Sequence, residues 1–155
     1  MTRWLALAAA IVAADQLAKY AAVQYLAANQ AVAVTPFFNL VLVYNAGAAF
    51  SFLSDAAGWQ RGLLIALALV ASAWIVYLLR RYPHQRLFSA ALALVLAGAV
   101  GNVIDRILVG AVIDFLDVHA WGYHWPAFNV ADSAITCGAA LLIWDALRPR
   151  ADVRK

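Results

Sequence analysis

The sequence contains no glutamate, a single cysteine and few charged residues of either sign. Without glutamate the zinc-protease motif HExxH cannot occur, and the lone Cys137 excludes an intrachain disulfide. Charged residues make up 12% of the chain and hydrophobic residues 66%. A soluble domain has about 25% charged and roughly 45–50% apolar residues. The composition therefore excludes a soluble enzyme, a disordered protein and a nucleic-acid binder, and it indicates a small integral membrane protein.

Four apolar segments are long enough to cross a bilayer, which takes about 20 helical residues. All four prolines lie between or just beyond these segments, as helix interiors require. The first segment continues well past Asp15, which is longer than the apolar part of a signal peptide, so we expect it to remain as a span. The sequence predicts one membrane domain over residues 1–155, all-α in class. The predicted spans are about 4–28, 59–79, 87–107 and 128–147.

Basic residues gather at one end of these spans. They precede the first span, fill the second loop and follow the fourth: Arg3, Arg80, Arg81, Arg86, Arg148, Arg150, Arg154 and Lys155. The first and third loops, about 29–58 and 108–127, contain no lysine or arginine outside the span boundaries. By the positive-inside rule we expect both termini in the cytoplasm and these two loops outside.

The first outer loop is typical of β-structure. Gln30–Val34 and Phe37–Tyr44 are rich in valine, phenylalanine and leucine, and Thr35-Pro36 between them is a turn signal. We therefore predict a small extracytoplasmic β-sheet that is paired or packed against the spans, because an open sheet edge cannot face lipid.

Polar residues gather at the outer ends of the spans. The third span ends in GNVIDR, the fourth begins with FNVADS, the loop between them carries VIDFLD, and the first outer loop ends in NAGAAF. The residues concerned are Asn45, Asn102, Asp105, Arg106, Asp114, Asn129 and Asp132. A transporter would instead place ionisable groups across the bilayer. The pattern predicts a site at the outer membrane boundary.

Two carboxylates held close together share one proton, so one can activate water while the other protonates the substrate. Asp114 and Asp132 are the best pair, since one lies in a loop and the other at a helix start. The alternative that Asp132 only caps the fourth helix stays open, because aspartate is a common cap. Within the first span Asp15 and Lys19 lie four residues apart and are expected to form a structural ion pair. Asp105 is interpreted as an internal partner that fixes the end of the third span.

Five segments resemble, in order and spacing, the sequence boxes of lipoprotein signal peptidase, which is signal peptidase II, the bacterial aspartic protease of the inner membrane. They are DQLAK (15–19), NAGAAF (45–50), GNVIDR (101–106), VIDF (112–115) and FNVADS (128–133). Each box alone is weak, but five in order with four predicted spans are specific.

The resemblance implies an aspartic endopeptidase that cuts a prolipoprotein N-terminal to its diacylglyceryl-modified cysteine. By the matching boxes, Asp114 and Asp132 are the catalytic dyad, while Asp15 and Lys19 are structural. The residues expected to line the site and orient the substrate are Asn45, Asn102, Arg106 and Asn129, with Gly47 as a point where the outer loop flexes. The expected partners are this substrate and membrane lipid, with no nucleic acid, cofactor or metal, and the chain is expected to act as a monomer.

Two other chemistries are weighed against this one. Ser133 lies at the right depth and Lys19 is the only lysine within a span, so a Ser–Lys dyad is conceivable. A neutral general base is required, and an ion pair of Lys19 with Asp15 would prevent it. Asp117, His119 and His124 could ligate zinc, but their spacing is loose and loop histidines are more often surface groups.

Overall fold

The computed structural model describes residues 1–28, 30–47 and 58–148. The last three residues of the NAGAAF box and the basic residues beyond position 148 lie outside these ranges. The described chain contains four long helices, each apolar enough to cross a membrane by its length and composition. They are α1 (Thr2–Tyr25), α2 (Trp59–Arg81), α3 (Arg86–Leu108) and α4 (Val130–Leu147).

These helices confirm the four predicted spans, with ends that shift by at most three residues. The start of α4 has a clear physical cause. The side chain of Asn129 accepts a hydrogen bond from the backbone N–H of Asp132 at 2.8 Å, which makes Asn129 the N-cap. The helix therefore begins at Val130 rather than at the predicted Phe128.

Helix α3 is the centre of the bundle. More than half of its span residues are buried, 56% against 22% or less in the other three helices. Its close packing on α4 depends on glycine. A Cβ at Gly98 would clash with the backbone oxygen of Ala131. A Cβ at Gly138 would lie 2.8 Å from the backbone oxygen of Ala91. Small residues of this kind let two membrane helices approach closely.

The segments that connect α1 to α2 and α3 to α4 both contribute to one antiparallel sheet with the strand order β1-β2-β3-β4. Its strands are β1 (Val32–Thr35), β2 (Phe38–Asn45), β3 (Val112–Ala120) and β4 (Tyr123–His124). The two strands predicted in the first outer loop are confirmed, and the turn between them moves by one residue to Pro36-Phe37.

The placement of Asp114 in a loop was wrong, because it lies on strand β3. The first four residues of β3, Val112 to Phe115, are all buried, so both faces of the strand are covered. A strand buried on both faces does not show the alternation by which half-buried strands are recognised in a sequence. Strand β3 pairs with β2 in a register that sets Asp114 opposite Val43.

The ends of the bundle differ in composition. At the end away from the sheet, the buried Ser89 donates to the backbone oxygen of Tyr82, and a cluster of buried apolar residues joins α1, α2 and α3. These residues are Ala8, Ile75, Leu79, Leu92, Ala93, Leu96 and Ala97. At the sheet end, by contrast, most of the buried polar side chains of the described chain come together.

Candidate active site

Asp114 is held in place by two amide side chains. It is buried on β3, where the Nδ2 of Asn129 donates to its Oδ1 at 2.7 Å and the Nδ2 of Asn45 donates to its Oδ2 at 3.2 Å. Burial, together with the neighbouring charge of Asp132, raises the pKa of the Asp114 carboxyl to about 7, although the two amide hydrogen bonds act in the opposite direction. At neutral pH this carboxyl is therefore able to carry a proton.

Asp132 lies in the first turn of α4, and its side chain is not the helix cap. The cap is Asn129, as described above, so the alternative that Asp132 serves only as a cap is wrong. The Asp132 Oδ1 instead accepts a hydrogen bond from the Nδ2 of Asn102 in α3, at 2.8 Å. The carboxyl group thus faces α3.

Asn129 connects the two acids. It is fully buried, its Nδ2 donates to Asp114 and its Oδ1 accepts from the backbone of Asp132. The same Nδ2 also lies 3.2 Å from the carbonyl oxygen of Ile113 and 3.4 Å from the Oδ1 of Asn102. One side chain therefore fixes the strand that carries one carboxyl and the helix that carries the other.

Both acids line one cavity of about 1260 Å³. Its polar wall includes Asn45, Asn102 and Arg106 beside the two acids. Asn129 was also expected to line the site, but it is fully buried behind this wall. Its remaining walls are mostly apolar and come from α2, α4 and the sheet, for example Leu64, Leu67, Ala68, Ile135 and Phe128. A cavity with a few convergent polar groups in an apolar wall is the usual form of a binding site.

Arg106 holds the segment that follows β2. Its Nη2 donates to the carbonyl oxygen of Gly47 at 2.8 Å, and its Nη1 donates to that of Asn102 at 3.4 Å. The N–H of Gly47 in turn donates to the Oδ1 of Asn45 at 3.0 Å. Within the described part of the chain, the buried Nε of Arg106 has no acceptor. Arg106, Gly47 and Asn45 thus form one unit at the edge of the cavity.

Lys19 sits between two carboxylates beneath the cavity. The predicted pair is confirmed, with 2.8 Å between its Nζ and the Oδ2 of Asp15. A second ion pair joins Nζ to the Oδ2 of Asp105 at 2.7 Å, and Nζ also donates to the Oδ1 of Asn102 at 3.2 Å. The side chains of Lys19 and both acids are at most 2% exposed. Buried charges of this kind need such complete pairing.

This ionic group also positions the elements that carry the two acids. The Oδ1 of Asp15 accepts from the backbone N–H of Ala131 in the first turn of α4, at 2.8 Å. The Oδ2 of Asp105 accepts from the backbone N–H of Ile113, directly before Asp114, at 3.1 Å. The interpretation of Asp105 as an internal partner is consistent with these bonds, which extend from the end of α3 to the start of β3.

Gln16 is a member of this group that the sequence analysis missed. Its Nε2 donates to the Oδ1 of Asp105 at 2.9 Å, and it lies 3.2 Å from the Oδ2 of Asp15 and 3.3 Å from the carbonyl oxygen of Gly101. The sequence contained a signal for this role, because Gln16 is a polar residue within a span and directly follows Asp15.

The geometry does not favour a Ser–Lys dyad. The Oγ of Ser133 donates to the backbone oxygen of Asn129 at 2.9 Å, four residues earlier in the chain. The Nζ of Lys19 contacts the carboxylates of Asp15 and Asp105 and the side chain of Asn102, so neither member of the dyad is directed at the other.

The histidines of the second outer loop form a separate cluster around Asp117. The Nδ1 of His124 lies 2.9 Å from both carboxylate oxygens, the Nδ2 of Asn39 donates to Oδ2 at 2.8 Å, and the His119 ring stacks on that of His124. Burial acts to raise the pKa of Asp117, but these hydrogen bonds and the histidine charges outweigh it and lower that pKa. Among the described residues no group of three histidine, cysteine or acidic side chains could hold a metal ion.

Comparison with known proteins covers nearly the whole chain. The family described as Signal peptidase (SPase) II matches residues 7–148. A lipoprotein signal peptidase of Paraburkholderia phymatum is 57% identical over 145 residues, which cover 94% of this chain and 87% of that protein. One from Janthinobacterium sp. (strain Marseille) is 56% identical over 148 residues, which cover 96% of this chain and 90% of that protein.

Two solved structures, both described as a bacterial membrane enzyme studied by the in meso method, share the fold. The one at 2.3 Å resolution has a TM-score of 0.88 and 30% sequence identity, and the match covers 100% of this chain and 93% of that one. The one at 1.9 Å resolution has a TM-score of 0.84 and 31% identity, with 97% and 96% coverage.

Proposed function

The chain belongs to the signal peptidase II family of aspartic proteases, which remove signal peptides from prolipoproteins, and we propose that Asp114 and Asp132 are its catalytic dyad. The observation that carries this proposal is the position of Asn129. Its amide binds Asp114 and its carbonyl caps the turn that contains Asp132, so both carboxyls face one cavity in a fixed relation.

The raised pKa of Asp114 supports a division of roles between the two acids. In this division Asp114 carries the shared proton and Asp132 acts as the general base. Asp132 removes a proton from water, and the resulting hydroxide attacks the scissile carbonyl carbon while Asp114 protonates the carbonyl oxygen. The tetrahedral diol then collapses. The proton taken up by Asp132 passes to the leaving amine, the diol returns a proton to Asp114, and the peptide bond breaks into an acid and an amine.

The polar residues that line the cavity are proposed to orient the acids and the substrate, and the buried Asn129 is proposed to orient the acids alone. Asn45 and Asn129 hold Asp114, and Asn102 holds Asp132. Arg106 and Gly47 fix the segment at the cavity edge, and the Arg106 guanidinium lines the cavity, where it is placed to bind a substrate carbonyl.

The proposed substrate is a prolipoprotein whose cysteine carries diacylglycerol, cut on the N-terminal side of that cysteine. The apolar walls of the cavity, formed by spans α2 and α4, are suited to a signal peptide and acyl chains that stay in lipid. We further propose that the chain acts as a monomer in the bacterial inner membrane. Both termini would lie in the cytoplasm and the site at the outer face, consistent with the arginines at the opposite end of the spans. An extracytoplasmic reporter signal from a C-terminal fusion would contradict this orientation.

The test is cleavage of a diacylglyceryl-modified precursor by the purified chain in detergent. Asp114→Asn and Asp132→Asn keep the side-chain volume but remove the titratable proton, and each should abolish cleavage in protein that still folds and binds precursor. Asp117→Asn is the matched control, because Asp117 lies three residues along the same strand and does not line the cavity. Near-normal turnover in either dyad variant would show that the wrong pair has been named. Equal rates on modified and unmodified precursor would exclude lipid from recognition.

A further inference from the structure

A second groove lies between α1, α2 and α3, at the end of the bundle away from the dyad. Its volume is about 800 Å³, and it shares no lining residue with the active-site cavity. Apart from Ser72 and Arg80 its walls are apolar, and many of the side chains are alanine. Representative lining residues are Leu5, Ala9, Val12, Ala73, Val76 and Val100.

The groove is one membrane leaflet deep. Along α1 its lining runs from Leu5 to Ala13, and along α2 from Ser72 to Arg80. Eight residues of helix correspond to about 12 Å at a rise of 1.5 Å per residue. Half of a hydrocarbon core of about 30 Å is about 15 Å. The groove therefore matches the length that an acyl chain occupies within one leaflet.

The end of the groove carries Arg80, a cation without an acidic partner in the part of the chain that the structure describes. Two neighbouring arginines each contact an aromatic ring. The guanidinium of Arg81 lies 5.8 Å from the Tyr82 ring, and that of Arg3 lies 4.6 Å from the Trp4 ring. Arg80 lines the groove, and no acidic side chain of the described residues pairs with it. The buried indole N–H of Trp4, next to the lining residue Leu5, also finds no acceptor among the described residues. Among the described residues, the Arg80 guanidinium therefore lacks an acidic partner and the Trp4 indole N–H lacks an acceptor.

We propose that this groove binds an anionic phospholipid, with one acyl chain between the helices and the phosphate at Arg80. Basic sites between membrane helices attract anionic headgroups, and an apolar slot that ends in a cation matches such a molecule along its length. The signal peptide of a substrate fits less well. Its cationic end lies opposite its cleavage site, so it would meet Arg80 and be repelled. A second copy of the chain would likewise bring its own arginines to this end. The proposal does not depend on the proposed catalytic residues.

The experiment measures lipid retained by the purified full chain. The protein in detergent is mixed with equal amounts of phosphatidylglycerol and phosphatidylcholine that have identical acyl chains, and native mass spectrometry counts the bound lipids. We expect phosphatidylglycerol to be retained about fivefold over phosphatidylcholine, which corresponds to about 1 kcal/mol for one arginine near the membrane surface. Arg80→Ala should abolish this preference. Arg81→Ala, the neighbouring cation outside the groove, should change it less than twofold.

A second variant tests the groove itself. Ala73→Phe places a large side chain in the groove and should reduce the retention of both lipids without changing their ratio. Equal retention of the two lipids by the unmodified chain would overturn the proposal, as would an equal loss of preference in Arg80→Ala and Arg81→Ala. Displacement of phosphatidylglycerol by a synthetic signal peptide would assign the groove to substrate instead. If Ala73→Phe does not fold, the two arginine variants still decide the result, because both side chains are exposed.

Discussion

The two ends of the bundle hold their helices together by different means. At the sheet end, buried hydrogen bonds and ion pairs connect α1, α3, α4 and β3, and they pair Lys19 with Asp15 and Asp105. At the opposite end, an apolar core joins α1, α2 and α3, and it leaves a groove open between them. Directional contacts fix the positions of the proposed catalytic groups, whereas the apolar packing leaves the groove that is proposed to hold a lipid.

The largest effect is expected where a buried charge loses its partner at the sheet end. Lys19→Met leaves Asp15 and Asp105 buried without a cation, and breaking a buried ion pair in this way costs about 3–5 kcal/mol. We expect a large drop in the thermal unfolding temperature in detergent, with loss of cleavage. Arg81→Met at the opposite end is the control and should leave the unfolding temperature nearly unchanged. If both variants lowered the unfolding temperature equally, the two ends of the bundle would not differ in how they are stabilised.

The second prediction concerns the α3–α4 contact that joins the two ends. Gly98→Ala places a methyl group against the backbone oxygen of Ala131 and the side chain of Ile135. Overpacking of this kind costs about 1–3 kcal/mol. Gly62→Ala in α2 is the matched control, because a Cβ there meets nothing within 4 Å. It should keep or raise the unfolding temperature. A Gly98→Ala variant as stable as Gly62→Ala would show that the two helices can separate without cost.

The third prediction uses pH to test the proton on Asp114. Its pKa is raised to about 7, so cleavage that needs this proton should fall above neutral pH, by about tenfold in kcat/KM per pH unit. At low pH activity should fall again when the dyad takes up its second proton, which gives a bell-shaped profile. Asp117→Asn should leave the alkaline limb in place. A flat profile from pH 6 to pH 9 would exclude Asp114 as the proton donor.

The sequence predicts the four spans well because each is a continuous apolar run, and this signal needs no knowledge of the partner helices. The Asp15–Lys19 pair is equally local, since four residues along a helix bring two side chains together. The second partner of Lys19 is not local. Asp105 reaches it only because α3 packs on α1, and a single sequence carries no record of that contact.

Strand β3 and the identity of the α4 cap were missed because they too depend on how distant segments pack together. Strand β3 is buried on both faces, so it lacks the alternation of a half-buried strand. Both Asn129 and Asp132 are common helix caps, and the choice between them depends on the backbone path that enters α4. The clustering of polar residues at one depth was nevertheless sufficient to find the polar wall of the cavity, which includes Asn45, Asn102, Arg106, Asp114 and Asp132, while Asp105 and Asn129 do not line it.

The smallest effect is expected on the unfolding temperature when Asp117 is replaced, and it is best judged against Asp114 on the same strand. Asp114 and Asp117 both lie on β3, but the pKa of the first is raised and that of the second is lowered. An acid with a lowered pKa stabilises the fold above its ordinary pKa of about 3.9, and this stabilisation is lost as the pH falls through the folded-state value. His124 is largely exposed, so the pair with Asp117 is worth at most about 1 kcal/mol. Asp117→Asn should therefore lower the unfolding temperature slightly at pH 7 and not at low pH.

Asp114→Asn should change the stability of the fold in the opposite direction. An acid with a raised pKa destabilises the fold as the pH rises from its ordinary value through about 7, because a buried carboxyl must then become charged. Its replacement by asparagine removes that penalty, so Asp114→Asn should be more stable than the unmodified chain above pH 7, while it has lost activity. Unfolding temperatures of both variants, measured from pH 3 to pH 9 in one detergent, give the two signs directly. If both substitutions shift stability in the same direction at pH 8, Asp114 is not held as the neutral member of the dyad, and the assignment of the proton must move to Asp132.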